Sequence, residues 1–242
     1  MEMVTLLAGP EELDAGEVKV EGDAYRHLFR ARRVPVGAIF RVVDGQGRAR
    51  WGEVARVDRS SARVVLKDPA PTHEPAFRLD LLVPTFRPER ASWLVEKTTE
   101  FGVSAIRFLN SVRAPRTFGD GGIERLRRVA VSAVEQCHRS LLPDISGPHA
   151  WEEIGKLTTR AEGRWFLDTK GAPGDWGPLG ASGALLVGPE GGWTPEERQE
   201  VLDAGWRPVG LGPRILRIES AALVGAAMLL LGRNEPSFKT TN

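Results

Sequence analysis

The chain holds a single cysteine, Cys137, in 242 residues. That excludes an intramolecular disulfide and any thiolate cluster for a metal, so neither a disulfide-stapled scaffold nor a zinc-finger fold is open to it, and no metal is expected. Cys137 itself reads as a small buried apolar side chain. Long hydrophobic runs are missing too. The most apolar segment, residues 221–231, is too short to span a bilayer and reads as a buried helix. The first residues are acidic and carry no extended apolar stretch, so no secretory signal is expected there and the expected location is cytoplasmic, with no membrane partner.

What is present is arginine, unevenly placed. The net charge is only +1, yet residues 24–67 hold eleven Arg and Lys against three acidic residues, while residues 1–23 hold one Lys against seven acids. Arginine supplies 27 of the 33 basic residues, which favours a partner with planar anionic groups such as phosphate. The basic stretch therefore reads as an RNA-binding surface.

At this length one or two domains are expected, with a sizeable core. The N-terminal third reads as β structure. Residues 38–43 and 49–57 are apolar-rich runs separated by Asp44-Gly45-Gln46-Gly47, a hairpin signal, and residues 61–67 give another strand. No long helical period intervenes, so a small barrel is the economical fold. Residues 68–75, with three prolines in eight positions, read as a linker. The boundary is placed at residue 70, giving domains 1–70 and 71–242. Beyond it strands (77–83, 105–109, 165–168, 184–187, 209–211) alternate with helices (89–101 closed by Gly102, and 123–139), the pattern of a mostly parallel α/β sheet covered on both faces.

Two glycine-rich turns carry the most specific signal: GPEGGWTPEE at 188–197 and LGPRILRIESAA at 211–222. Each follows a short apolar run and precedes a helical pattern, so both are strand-to-helix corners, where α/β sheets bind ligands. In the first, Thr194 is the expected N-cap, with Pro195 at the first helical position and Glu197 completing a capping box. Gly188, Gly191 and Gly192 let backbone approach a ligand closely. Neither corner holds the lysine and hydroxyl pair of a Walker loop or the G-x-G-x-x-G of a dinucleotide fold. A ligand without phosphates fits better.

The order strand, GPEGG, TPEE helix, strand, LGPRILR, small-residue helix resembles the C-terminal end of the SPOUT methyltransferases, and specifically the bacterial family that methylates uridine N3 in 16S ribosomal RNA of the small subunit. EKTTEFGV (96–103) and AVEQCHRSLLPDI (133–145) resemble that family's central motifs, and HLFRARRVPVG (27–37) the start of its RNA-binding barrel. One departure is visible: Glu219-Ser220-Ala221 stands where the family usually has Glu-Thr-Ala. The resemblance implies a trefoil-knotted parallel sheet of the SPOUT type preceded by a PUA-like small β-barrel. It also implies S-adenosyl-L-methionine as cofactor, ribosomal RNA or the small ribosomal subunit as partner, and a homodimer built partly on residues 221–231. The competing readings are a SPOUT ribose 2′-O-methyltransferase of tRNA or rRNA, against which the RILR loop argues, and a non-catalytic RNA-binding protein of ribosome assembly.

On that resemblance the cofactor lies among Leu167, Gly188, Pro189, Glu190, Gly191, Gly192, Leu211, Gly212, Arg214, Ile215 and Leu216. Arg217, directly after the ligand loop, is the expected catalytic cation, and Glu219 and Glu190 are the available bases, although Arg217 and Glu219 could instead pair with each other. His27, Arg30, Arg32, Arg33, Arg113 and Arg139 are expected to hold RNA or brace the site. Gln136 and Arg139 would share one face of a helix.

Overall fold

The computed structural model describes residues 4–110, 118, 121–177 and 180–231. They divide into two units: residues 1–74 with 131–142, and residues 75–130 with 143–242.

The first unit is built on a five-stranded mixed sheet in the order β1 (Thr5–Leu7), β3 (Ile39–Val43), β4 (Ala49–Val57), β5 (Ala62–Pro69) and β2 (Glu17–Val20). The β1–β3 pair is parallel and the other pairs are antiparallel. The expected hairpin joins β3 to β4, held by Asp44, whose carboxylate accepts from the Gln46 and Arg48 amides at 2.8 and 2.9 Å and from Arg48 Nε at 2.6 Å. Alternate residues of the strands, among them Val18, Val20, Phe40, Val42 and Val64, face a core shared with Leu28 and Phe29. The short edge strands β1 and β2 escape the sequence pattern, as do the helices α1 (Pro10–Ala15) and α2 (Gly22–Tyr25) and the π-helix Arg26–Ala31 that continues α2.

The second unit is a six-stranded sheet in the order β11 (Arg207–Gly210), β9 (Gly163–Pro173), β10 (Ser182–Leu186), β6 (Arg78–Pro84), β7 (Ala105–Leu109) and β8 (Asp144–His149). Every pair is parallel. Leu79, Leu81, Leu82 and Val83 on β6, and Ala184, Leu185 and Leu186 on β10, are all buried. Continuous apolar runs of this kind are what a sheet covered on both faces requires. Helix α3 (Pro88–Phe101) starts on a proline and stops at Gly102, whose φ of 100° gives the left-handed cap. The other helices are α5 (Ile154–Leu157), α6 (Pro195–Asp203), α7 (Ile218–Leu231) and α4 (Gly122–Cys137), of which residues 131–137 belong to the first unit. Helix α7 buries Ala222, Gly225, Ala226, Leu229 and Leu230, as its apolar composition predicts.

Helix α4 ends two residues before the sequence-based boundary. His138 takes φ 62°, a left-handed conformation uncommon outside glycine, and turns the chain off the helix axis. Arg139 therefore leaves the face it would have shared with Gln136. It is 2% exposed, and its guanidinium meets Glu74 at 2.8 and 3.1 Å. The same carboxylate accepts from the Ser140 and Leu141 amides at 2.7 and 2.9 Å. Arg41, 1% exposed, donates to the carbonyls of His138 and Pro71. Two buried arginines and one glutamate thus fasten residues 138–141 within the first unit.

Removing one partner of a buried ion pair strands the other, a loss of about 3–5 kcal/mol. Glu74→Ala should destabilise the protein on that scale in chemical denaturation. Glu74→Gln, which keeps an acceptor oxygen for the Ser140 and Leu141 amides while removing the charge, should lose less. Wild-type stability in Glu74→Ala would contradict this account.

Candidate functional site: a cleft at the ends of three parallel strands

Strands β11, β9 and β10 are neighbours in the sheet and run parallel, so the segments that follow them meet at one edge. Between those segments lies a cleft of about 500 Å³. It has the size and place expected of a small-molecule site in an α/β sheet.

The first wall comes from a fault in the β9–β11 ladder. Phe166 pairs with Pro208, but Ala172 pairs with Val209, so residues 167–171 are pushed out of register. Leu167, Asp168, Thr169 and Lys170 line the cleft as a result. Two glycines permit the fault. A Cβ on Gly210 would lie 2.4 Å from the Gly171 carbonyl oxygen, and a Cβ on Gly171 would lie 2.7 Å from the Val209 backbone. Asp168 is nearly buried, and it accepts from the Lys170 amide at 3.0 Å and from Arg198 Nε at 2.7 Å.

The second wall is the turn after β10. Gly192 has φ 71° and its amide donates to the Pro189 carbonyl at 2.9 Å. Trp193 then folds back so that its Nε1 donates to the Leu167 carbonyl at 2.8 Å, which ties the second wall to the first. The expected capping box is present: Thr194 Oγ1 accepts from the Glu197 amide at 3.0 Å, and the Glu197 carboxylate accepts from the Thr194 amide at 2.8 Å. Gly188, Pro189, Glu190 and Gly192 line the cleft, while Gly191 is exposed and is not among the lining residues.

Residues 211–217 form the third wall. Leu211, Gly212, Arg214, Ile215, Leu216 and Arg217 all line the cleft. Ile215 is 92% exposed, and with Leu211, Leu216, Val187 and Val209 it makes an apolar platform. The Arg217 side chain makes no hydrogen bond or ion pair among the described residues, and its carbonyl accepts from the Ala221 amide at 2.8 Å as α7 begins.

A residue with no local sequence signal joins two of these walls. Arg90, in the first turn of α3, donates from Nε (2.8 Å) and Nη2 to the two carboxylate oxygens of Glu219, and from Nη1 to Glu190 at 2.6 Å. Its guanidinium also lies over the Phe86 ring, 5.6 Å from the centroid. The sequence offers Glu219 and Glu190 as bases and Arg217 as a partner for Glu219; the structure gives both carboxylates to Arg90. Burial pushes the Glu219 carboxyl up, but the Arg90 hydrogen bonds, its own backbone amide and the charges of Arg90 and Arg217 together outweigh it, and the net shift is downward. Glu219 is thus paired with Arg90 and does not line the cleft, which counts against the expectation that it serves as a base.

The RNA candidates divide. His27 and Arg30 are exposed on the π-helix, and Arg32 and Arg33 are exposed just beyond it. Arg30 donates to the Arg59 carbonyl at 2.6 Å and lies over the Tyr25 ring. Arg139 is buried and paired with Glu74, not exposed as a phosphate contact would be. Arg113 lies outside the described residues. Among the described residues no group of three or more His, Cys, Asp or Glu could hold a metal, and no helix is long and apolar enough to cross a membrane.

Comparison with known proteins agrees with this geometry. Residues 73–230 match the model of an RNA methyltransferase domain, and residues 20–67 that of an RNA methyltransferase PUA domain. The chain is 30% identical to ribosomal RNA small subunit methyltransferase E of Mycobacterium bovis, over 97% of this chain and 95% of that one. It is 26% identical to the Synechocystis protein of the same name, over 93% of this chain and 76% of the other. Among solved structures, the Neisseria gonorrhoeae ribosomal RNA small subunit methyltransferase E bound to S-adenosyl methionine superposes with a TM-score of 0.84 at 26% identity, covering 95% of this chain and 98% of that one. A probable rRNA-methyltransferase from Porphyromonas gingivalis gives a TM-score of 0.80 at 27% identity, covering 96% and 100%. The chain belongs to the RNA methyltransferase family that includes these small-subunit ribosomal RNA enzymes.

Proposed function

We propose that the protein transfers a methyl group from S-adenosylmethionine to N3 of a uridine in the RNA of the small ribosomal subunit. The observation that carries this reading is the cleft itself: three glycine-bearing strand ends, an apolar platform at Ile215 and Leu216, and an uncommitted arginine beside them. The cleft suits that cofactor, because the corners present main-chain groups and apolar side chains to an adenosine and hold no phosphate grip. The relatives named above support the same assignment.

When bound, the cofactor supplies an electrophilic methyl group on a positively charged sulfonium. The rest falls to the chain. Main-chain groups of the second and third walls would hold the adenine edge, and Ile215 and Leu216 would pack on its ring. Uridine N3 carries a proton in neutral water, so the anion left by its departure must be stabilised. Arg217 does this by donating to a uracil carbonyl oxygen, its charge already in place before the reaction. Glu190, half exposed and lining the cleft, is the carboxylate that receives the proton. His27, Arg30, Arg32 and Arg33 hold the RNA, mainly through phosphates.

We further infer a homodimer. Trp93 on α3 and Val224, Met228 and Leu231 on α7 are 41–50% exposed, and the last three recur at helical spacing as one apolar stripe. A second copy of the chain is the occupant that a self-complementary stripe fits.

Arg217→Ala should slow single-turnover methyl transfer by about 10²-fold or more, the scale for loss of one preorganised electrostatic group. Calorimetry should find cofactor affinity nearly unchanged, and Arg217→Lys should rescue only part of the rate. Normal turnover in Arg217→Ala would remove the residue from the chemistry. Primer extension should stop at the modified base, since N3-methylation blocks pairing; read-through would point to ribose methylation instead.

In light scattering the wild-type chain should run at twice its monomer mass and Met228→Glu should shift it toward monomer. A fully active wild-type monomer would overturn the dimer.

A further inference from the structure

The first unit contains a cavity that the methyl-transfer reading does not use. It measures about 580 Å³, within the range of small-molecule sites, about 300–1,000 Å³. Its apolar wall includes Leu6 of β1, Leu28 of the π-helix and Val131 of α4. His27 and Arg32 stand at its exposed side, and Glu135 of α4 reaches in from the opposite element.

Glu135 is the informative group. Its carboxylate accepts one hydrogen bond among the described residues, from the Leu7 amide to Oε1 at 3.3 Å, and it forms no ion pair there. Burial pushes its carboxyl above the usual range, against the pull of that amide and of the His27 ring. Glu135 is half-buried at the cavity wall, so its second oxygen is open to a donor from a ligand in place of water. The chain also accepts backbone strain at this place: His138, at φ 62°, leaves α4 and turns its ring onto Thr5, with Nδ1 and Oγ1 2.8 Å apart, to finish one wall. The π-helix opposite is a second irregular element, of a kind often found at functional sites.

The ligand that satisfies this set is flat and partly apolar, carries N–H donors for Glu135, and presents a carbonyl acceptor to His27 and Arg32. Among RNA bases guanine matches best. Its Watson–Crick edge puts N1–H and N2–H₂ beside O6, whereas uracil has one N–H between two carbonyls and adenine has no carbonyl at all. Unpaired bases are the usual targets of sequence-specific RNA readers, and the exposed arginines on and beyond the π-helix supply phosphate contacts nearby in the chain. We propose that this cavity is a binding site for one unpaired guanine of the RNA, read by Glu135. The proposal rests on the RNA-methyltransferase reading for its source of the base and concerns recognition alone.

The test uses the full-length protein and guanosine 5′-monophosphate, with the adenosine, cytidine and uridine monophosphates and inorganic phosphate as comparison probes, followed by calorimetry or competition against labelled single-stranded RNA. The guanine nucleotide should bind most tightly. Glu135→Gln, which turns one acceptor oxygen into a donor, should weaken it at least about tenfold, a change of 1.4 kcal/mol or more. Ser132→Trp, at an exposed position of the lining, should block the cavity without depending on the Leu7 contact. S-adenosylmethionine affinity, measured on the same samples, should stay unchanged in both variants. Equal binding of all four nucleotides, competition by phosphate as strong as by the nucleotide, or wild-type affinity in both variants would overturn the guanine site while leaving the methyltransferase reading intact. Absence of any RNA binding or methyl transfer by the wild-type protein would instead remove the reading on which it rests.

Discussion

The cleft depends on one guanidinium. Arg90 meets both oxygens of Glu219 and one of Glu190, so a single planar group with five donors joins the first turn of α3, the first turn of α7 and the turn after β10. Without it the polypeptide would bring two carboxylates close to one another at the edge of a largely apolar site. With it their repulsion is replaced by three charge-assisted hydrogen bonds. Glu219 is held ionised below the usual carboxylate range, and the Arg90 guanidinium is held protonated above its own. The sign of the linkage follows. Above the unfolded-state value of Glu219 its contribution to stability is fully present, and it is lost as pH falls through the lower, folded value. At neutral pH the clamp is therefore complete, and the downward shift makes Glu219 a weaker base than a free carboxylate.

The other walls depend on backbone. A parallel sheet aligns the C-terminal ends of β11, β9 and β10, and glycines at 171, 192, 210 and 212 allow the close approaches and left-handed turns that larger residues resist. Trp193, by bonding the Leu167 carbonyl, ties two of these corners into one surface. Against that fixed frame the Arg217 side chain makes no hydrogen bond or ion pair among the described residues, although its charge contributes to holding Glu219 ionised. In the proposed reaction that leaves its donors available to a developing anion.

Much of this was legible from residue order because the signals are local. The capping box at Thr194 and Glu197, the turn around Asp44, the stop at Gly102 and the apolar runs of β6 and β10 each depend on neighbours within a few positions, and each appears where the pattern puts it. The cleft-lining residues on the second and third walls were legible for the same reason, apart from Gly191 at the exposed tip. Long-range pairing was not. The register fault that exposes residues 167–171 exists only through β11, some forty residues on, and Arg90 looks like any polar residue at the start of an amphipathic helix until Glu190 and Glu219 arrive beside it. Strand β8 was hidden by its Ser-Gly-Pro interruption, and the left-handed turn at His138 has no glycine to announce it. That turn is what sets Arg139 against Glu74 and off the helix face it would have shared with Gln136.

The central claim is that Arg90 preorganises the cofactor cleft by neutralising two carboxylates on different elements. Calorimetric titration of S-adenosylmethionine into Arg90→Gln tests it most directly, with Arg90→Gln/Glu219→Gln titrated in parallel. The clamp predicts affinity lower by about tenfold or more in the single variant, a loss of 1.4 kcal/mol or greater, and partial recovery in the double variant, where the stranded buried charge is gone. Unchanged affinity in a folded Arg90→Gln protein, or strictly additive losses in the pair, would contradict it.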